Sequence, residues 1–308
     1  MRRRFPSFVR EWLTTTLPPD PEPASLPAAT PAMSLPWTEN GETRITWVGH
    51  ATALLQLPGL NVLTDPVWGD RAGPWGRWGP RRFVPPVPKL DHLPPIHVVL
   101  LSHDHFDHLD DYTVRALQER EGPDLLWCTP LGYRSWLSRR GARRVEERDW
   151  WGTVVLPEGR GEATAVPARH WTRRTPLGTN RRLWSGWVVR GGNGDGILFA
   201  GDSGHCSAFR EIGRELGPFR ASLLPIGAYA PRWFMGPAHM SPEEAVRAYG
   251  ELGGRGSFIG IHWGTFRLTF EDPLEPPRLA RAAWRAAGYP EADLRIPKRG
   301  ETVTVGAP

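Results

Sequence analysis

The segment Ser102-His103-Asp104-His105-Phe106-Asp107-His108-Leu109-Asp110 holds three histidines and the carboxylate of Asp107 between positions 103 and 108. It directly follows the apolar run Val98-Val99-Leu100-Leu101. A buried strand that ends there delivers several imidazoles and a carboxylate to one sheet edge, too close together for all to be core residues. Neutral imidazole and carboxylate oxygen suit Zn, Fe or Mn, and Zn is the commonest outcome for such a set. His103 and His105, two apart on a turn, can approach one ion, while Asp107 and His108 can serve a second beside it.

A two-metal centre needs donors from elsewhere in the chain. His170 follows the β-rich run Glu162–Val166, Asp202 follows Gly196–Ala200 within Gly201-Asp202-Ser203-Gly204, and His262 follows Ser257–Ile261. Singly, each is more often a satisfied turn residue than a ligand. Their recurrence just beyond strands is what matters, because ligand sites in open α/β sheets form outside the strand ends. Two cations roughly 3.5–4 Å apart bridge a water, lower its pKa toward neutrality and clamp the scissile group. Five histidines and two aspartates with two divalent ions and one hydroxide leave a net charge near +1 (+4 −2 −1). That residue of positive charge favours an anionic substrate such as a phosphodiester.

The elements that must position these groups can be read around them. Arg44–Val48, Ala53–Leu57 and Leu60–Thr64 read as an antiparallel meander, and His97–Leu101 as the strand feeding the cluster. Asp111–Glu121 reads as a helix capped by Asp110 or Asp111, with a second helix near Ala208–Leu216. Ala221–Leu224 is a further buried strand, and the halves 43–155 and 160–305 read as two similar α/β layers. Residues 66–95, rich in Pro, Gly, Trp and Arg, read as one long functional loop, and the stretch Trp68 to Phe83 within it either meets a membrane surface or packs over the sheet edge.

The chain reads as an N-terminal segment, 1–42, and a single folded domain, 43–308. Phe5, Phe8, Val9, Trp12 and Leu13 recur at helical spacing, as in a helix that lies at an interface or docks on the body. The prolines between positions 18 and 36 predict an extended arm. With 40% hydrophobic residues there is ample material for a core, and the 16 tryptophans point to amphipathic surfaces or the walls of an apolar cavity. Cys128 and Cys206 cannot make a disulfide framework and suit a reducing interior as small buried hydrophobes. No run of 18 apolar residues exists, and Arg2-Arg3-Arg4 has no apolar stretch behind it, so neither a spanning helix nor a signal peptide is expected. A cytoplasmic protein, peripheral to a membrane at most, is the expectation. The net charge of +5 rests mostly on arginine, scattered rather than clustered, so no nucleic-acid partner is expected.

The motif His103-x-His105-x-Asp107-His108, with His170, Asp202 and His262 in order, resembles the metallo-β-lactamase superfamily. Within it the chain looks like the N-acylphosphatidylethanolamine-hydrolysing phospholipase D family from about Trp47 to Pro277. Gly49-His50-Ala51-Thr52, Leu63-Thr64-Asp65-Pro66, Leu224-Pro225-Ile226-Gly227-Ala228-Tyr229 and His239-Met240-Ser241-Pro242 carry that likeness. Ser203 and His205 depart from it, where Thr and an aromatic are more usual. The resemblance implies an αββα sandwich of two mixed β-sheets flanked by helices. It implies two zinc ions, one on His103, His105 and His170, the other on Asp107, His108 and His262, with Asp202 bridging.

It further implies that His239 contacts the substrate phosphate or the leaving group, with Tyr229 and Arg232 also on the substrate side. The other reading of His239 is a residue leading into the helix Pro242–Glu251. Asp65, and His50 with it, would hold ligand histidines by hydrogen bonds. His92, His97 and His205 read as structural. The activity implied is phosphodiester hydrolysis of phospholipase D type through a metal-bound hydroxide, with Asp107, Asp202 and His239 at the reaction. Lactone or phosphorylated-sugar hydrolysis is the alternative on the same scaffold. A nuclease and a protein whose metals serve only structure rank below these.

Overall fold

The computed structural model describes residues 5–38, 41–192, 194 and 196–305. Arg2-Arg3-Arg4 and the Phe5 side chain lie outside that description. The meander forms as its alternation predicts: β1 (Thr43–Gly49), β2 (Thr52–Leu57) and β3 (Leu60–Thr64) pair antiparallel, with Ile45 opposite Leu55 and Leu55 opposite Val62. β4 (Val98–Leu100), β5 (Leu126–Pro130) and β6 (Arg144–Arg148) then add in parallel.

In the second sheet β7 (Thr153–Val155), β8 (Gly161–Val166), β9 (Gly186–Gly191) and β10 (Gly196–Phe199) are antiparallel. β11 (Ala221–Pro225), β12 (Ser257–Ile261) and β13 (Leu294–Arg295) follow in parallel. β14 (Thr302–Val305) returns to the first sheet, with Val305 opposite Thr43 of β1.

The result is two seven-stranded sheets, each with three antiparallel pairings followed by three parallel ones. The division into halves at 155 and 160 needs two corrections. β7 already belongs to the second sheet, and β14 crosses back to the first. The crossing has a physical reason, since β1 would otherwise present an open edge of unpaired backbone groups.

Strand alternation sorts the core into layers. Val98 and Leu100 face the space between the sheets, against Trp187, Phe199, Leu223 and Ile259. Val99 and Leu101 point the other way, toward Val114 and Leu117 of α2 (Asp111–Glu121) and Trp136 of α3 (Arg134–Ser138). Beneath the second sheet, Leu198, Leu224 and Phe258 pack against α4 (Ala208–Leu216), with α5 (Arg232–Met235) following β11. The same layer is closed by α6 (Pro242–Glu251) and α7 (Glu275–Ala287) through Val246 and Trp284. This is the αββα sandwich the motif set implies. Each fully buried Leu, Val or Ile contributes about 1.5–3 kcal/mol, so strand positions carry the fold and strand ends are free for chemistry.

The N-terminal helix α1 (Phe5–Thr14) docks rather than standing free. Phe8 stacks on Phe234 at 4.3 Å, Trp12 meets Phe270 at 5.2 Å, and the Trp233 indole donates to Glu11 at 2.9 Å. The proline-rich arm behind it lies along the body: Leu26 is buried, and Ala28 and Thr38 bridge to Arg299 and Pro58. Among the described residues no helix is long and apolar enough to cross a membrane.

The loop 66–95 packs over the strand ends at its base. Val67, Trp68 and Arg82 are buried, and Arg82 donates to the carbonyls of Val67 and Gly69. Its tip is exposed, with Trp75 at 82% and Trp78 at 68%.

Candidate metal centre

Four strands end at one edge of the sandwich, and each hands the chain to a donor. β4 leads to His103, β8 to His170, β10 to Asp202 and β12 to His262. The turns are sharp. His50, Asp65 and His262 hold φ of 55°, 30° and 63°, a left-handed region that non-glycine residues seldom occupy outside functional sites. Gly201, at φ 60°, is required: a Cβ there would come within 2.7 Å of the Ser102 Cβ. Asp110 caps α2 directly behind the histidine turn, its side chain accepting from the Thr113 amide at 3.2 Å.

Two donor groups result. His105 Nδ1 lies 2.8 Å from His103 Nε2 and 3.2 Å from His170 Nε2. Asp107 Oδ2 lies 3.4 Å from His108 Nε2 and 3.6 Å from His262 Nε2. Asp202 sits between the groups. Its Oδ2 is 3.2 Å from His108 Nε2, 3.8 Å from His170 Nε2 and 3.9 Å from His103 Nε2, and its Oδ1 is 3.1 Å from His262 Nε2. His239 completes the ring of side chains, with Nδ1 3.8 Å from Asp202 Oδ2. It is not the cap of α6: Ser241 is, in a capping box with Glu244.

The electrostatics fit cations. Burial, reinforced by neighbouring imidazoles, lowers the pKa of His103 well below its usual value and brings His105 to about 3. Burial lowers His170 as well, against the pull of Asp202. Three neutral imidazoles therefore aim ring nitrogens at one point, where no single proton can satisfy them. Burial opposes charging Asp107 and Asp202 too, but His108 and, beside it, His262 outweigh it and hold both carboxyls well below the usual range. The carboxylates in turn raise His262 to about 9 despite its burial. Asp202 Oδ1, His105 Nε2 and His239 Nδ1 are buried without a hydrogen-bond partner. Converging neutral imidazoles, ionised carboxylates and orphaned polar atoms form a donor set suited to two divalent ions.

Supporting groups fix the ligands. Asp65 accepts from His108 Nδ1 at 2.6 Å, from the Ser102 amide at 2.7 Å and from the Ser102 hydroxyl. His50 Nε2 lies 2.9 Å from Asp107 Oδ2, and burial lowers the His50 pKa to about 3, so the neutral ring donates its N–H to that carboxylate. The Ala238 carbonyl accepts from His170 Nδ1 at 2.9 Å.

Tyr229 and Arg232 stand nearby but are engaged. The Tyr229 hydroxyl donates to Glu275 at 2.6 Å, and Arg232 donates to Glu244 and to the His239 carbonyl. Arg232 thereby steadies the segment that carries His239, and its side chain remains 39% exposed. His97 and His205 lie outside the cluster, bonded to the Asn61 amide and to Glu251. Cys128 is buried in the core, and Cys206 is half-buried.

The sequence reading passed over the indoles that brace these turns. Trp47 donates to the His50 carbonyl at 2.8 Å, Trp187 to Leu101 at 2.8 Å and Trp184 to Ala168 at 2.8 Å. Their number was visible, but the carbonyls they meet were not.

The chain matches the family described as the Beta-lactamase superfamily domain over residues 60–263. It is 42% identical over 240 residues to N-acyl-phosphatidylethanolamine-hydrolyzing phospholipase D 1 of Caenorhabditis elegans, covering 75% of this chain and 67% of that one. It is 34% identical over 236 residues to the mitochondrial N-acyl-phosphatidylethanolamine-hydrolyzing phospholipase D of Saccharomyces cerevisiae, covering 75% of this chain and 49% of that one. A metallo hydrolase from the hyperthermophilic archaeon Ignicoccus hospitalis shares the fold at a TM-score of 0.63 and 20% identity, over 87% of this chain and 100% of that one. With this fold, this donor set and these relatives, the chain belongs to the beta-lactamase superfamily, as one of its metal-dependent hydrolases.

Proposed function

We propose that this metal-dependent hydrolase carries two zinc ions, with iron or manganese as the substitutes, and cleaves phosphodiesters of N-acylphosphatidylethanolamine type in the manner of a phospholipase D. The observation that carries the reading is Asp202, whose two carboxylate oxygens face donor groups on both sides. His103, His105 and His170 would hold one ion, and Asp107, His108 and His262 the other, with Asp202 between them. Two divalent ions so held lower the pKa of a water toward neutrality and polarise the phosphoryl oxygens.

The protein's own residues do the rest. Water adds to phosphorus as the bond to the N-acylethanolamine oxygen breaks, and phosphatidate and the free alcohol result. Asp202, ionised at neutral pH, is placed to accept the water's proton. Asp107, steadied by His50, keeps its charge toward the same space. His239 is kept neutral by burial and directs an unpartnered nitrogen into the site, where it contacts the phosphate or the departing oxygen.

A lipid substrate is favoured over a lactone or a sugar phosphate by a groove of about 530 Å³ beside α1. Phe8, Trp12, Phe83 and Leu268 line it together with Arg81 and the Arg267–Asp20 ion pair. The exposed Trp75 and Trp78, among Arg71, Arg77 and Arg81, suit peripheral contact with an anionic bilayer.

The deciding assay compares N-acylphosphatidylethanolamine in vesicles, a soluble phosphodiester and a lactone, using zinc-loaded protein. Phosphatidate release from the lipid is the expected result, and lactone opening without it would sink the reading. Asp202→Asn should lower turnover by at least about 10²-fold with the circular dichroism spectrum unchanged. Wild-type turnover in that variant would remove Asp202 from the reaction.

A further inference from the structure

We propose that Arg174 is a positioning residue of the metal centre. It fastens the segment that follows His170 onto the turn that carries the other histidines, so that the two parts of the three-histidine site are assembled as one unit.

Arg174 Nη1 donates to the Asp104 carbonyl at 3.0 Å and to the Leu109 carbonyl at 2.7 Å. These two carbonyls bracket the turn that bears His105, Asp107 and His108. The guanidinium also lies 4.3 Å from the Phe106 ring centre and 4.8 Å from that of Trp136. Burial lowers its pKa to about 10, so it remains charged at neutral pH.

Asp104, between the first two histidines, is buried and held by the same segment. It accepts from the Arg173 amide at 2.9 Å and from Arg182 Nη1 at 2.8 Å. The segment is closed on itself, with the Asn180 amide donating to the Thr172 carbonyl at 2.8 Å and the Thr172 amide to Asn180 Oδ1 at 3.1 Å. Trp171 meets His105 edge-on at 4.5 Å.

The need for such a strap follows from the distance along the chain between the donors. His105 and His170 stand 65 residues apart in sequence, yet their ring nitrogens lie 3.2 Å apart, so the two segments must be held against each other. A planar guanidinium whose Nη1 satisfies two buried carbonyls at once, and whose carbon lies over the Phe106 and Trp136 rings, holds them there. The lysine ammonium, a point charge on a flexible stem, lacks the flat face that stacks on those rings. The strap acts on His105 and His170, which share an ion in the function proposed above. The second group shares that turn through Asp107 and His108 but has anchors of its own in Asp65 and His50, so it depends on the strap less.

The test is a zinc titration of the full chain against a chromophoric chelator that resolves the two ions. Arg174→Ala should weaken one ion about 10- to 100-fold and leave the other within about threefold. Arg174→Lys should recover only part of the loss, and Asp104→Asn should weaken the same ion. If Arg174→Ala does not fold, Arg174→Gln, which keeps part of the apolar stem, carries the test of Arg174, and Asp104→Asn tests the hold of the Asp104 side chain on Arg173 and Arg182. Wild-type affinity for both ions in Asp104→Asn and Arg174→Ala, or equal loss of both, would overturn the proposal. A wild-type chain that binds a single ion would overturn the two-ion reading alone. The strap would then stand or fall on whether Arg174→Ala weakens that ion.

Discussion

Asp65 shows how a single residue can govern a centre it does not enter. Three hydrogen bonds converge on its carboxylate, and the one from His108 fixes which ring nitrogen faces Asp107 and Asp202. Asp65→Asn keeps the shape but turns an amide N–H toward one of those donors. Zinc affinity, measured by chelator competition, should fall about 10- to 100-fold, and an unchanged affinity would place Asp65 outside the centre. At this scale the sequence was most legible where donors are neighbours. His103, His105, Asp107 and His108 declare themselves because chance seldom packs so many ligating side chains beyond one apolar run. Asp104 sits in the same run but reads as filler, since its partners Arg173 and Arg182 lie some seventy residues on.

Strands, turns and braces form the next scale. The feeding strands could be read from their β-rich and apolar runs, and α2, α4 and α6 formed over the residues predicted for them. The charged edge strand β6 carries no such signal, and Leu126–Pro130 was not singled out. The tryptophans deliver more than apolar walls, because several indoles donate to carbonyls at the site's turns. Trp187→Phe keeps the packing but leaves the Leu101 carbonyl without that donor. A loss of about 1–3 kcal/mol in denaturant-melt stability is expected, and a neutral result would reduce the brace to packing. Helix α1 walls the 530 Å³ groove with Phe8 and Trp12. Removing residues 1–15 should raise KM for a long-chain lipid several-fold while sparing a short soluble phosphodiester. Equal effects on both substrates would show that α1 serves the fold and not the groove.

For the whole molecule, the histidines couple stability to pH. In the metal-free protein, burial lowers the pKa of His50, His97, His103, His105, His170 and His239. The unfolded chain takes up those protons near pH ~6.5, before the native state does, so their stabilisation is present above that pH and lost as pH falls below it. His108 and His262, raised by Asp202 and Asp107 against burial, work in the opposite sense. Their contribution is full below pH ~6.5 and is lost as pH rises, for His262 through about 9. Six groups outweigh two, so the Tm of metal-stripped protein should drop by several degrees between pH 7.5 and 5.5. A Tm that climbs on acidification would refute this balance.

By itself the sequence determined the chemistry on offer: which side chains could ligate, and that they follow strands. Those are local properties, set by residue type and by alternation along a few residues. Only the tertiary structure decided which donors share a point in space. It set Asp202 between two groups, bonded Tyr229 to Glu275 and Arg232 to the His239 carbonyl, and brought β14 home to β1. It also laid Arg174 across the histidine turn. The reason is that a hydrogen bond or a shared ion depends on distances of a few ångströms between residues far apart in the chain, and packing alone fixes those distances.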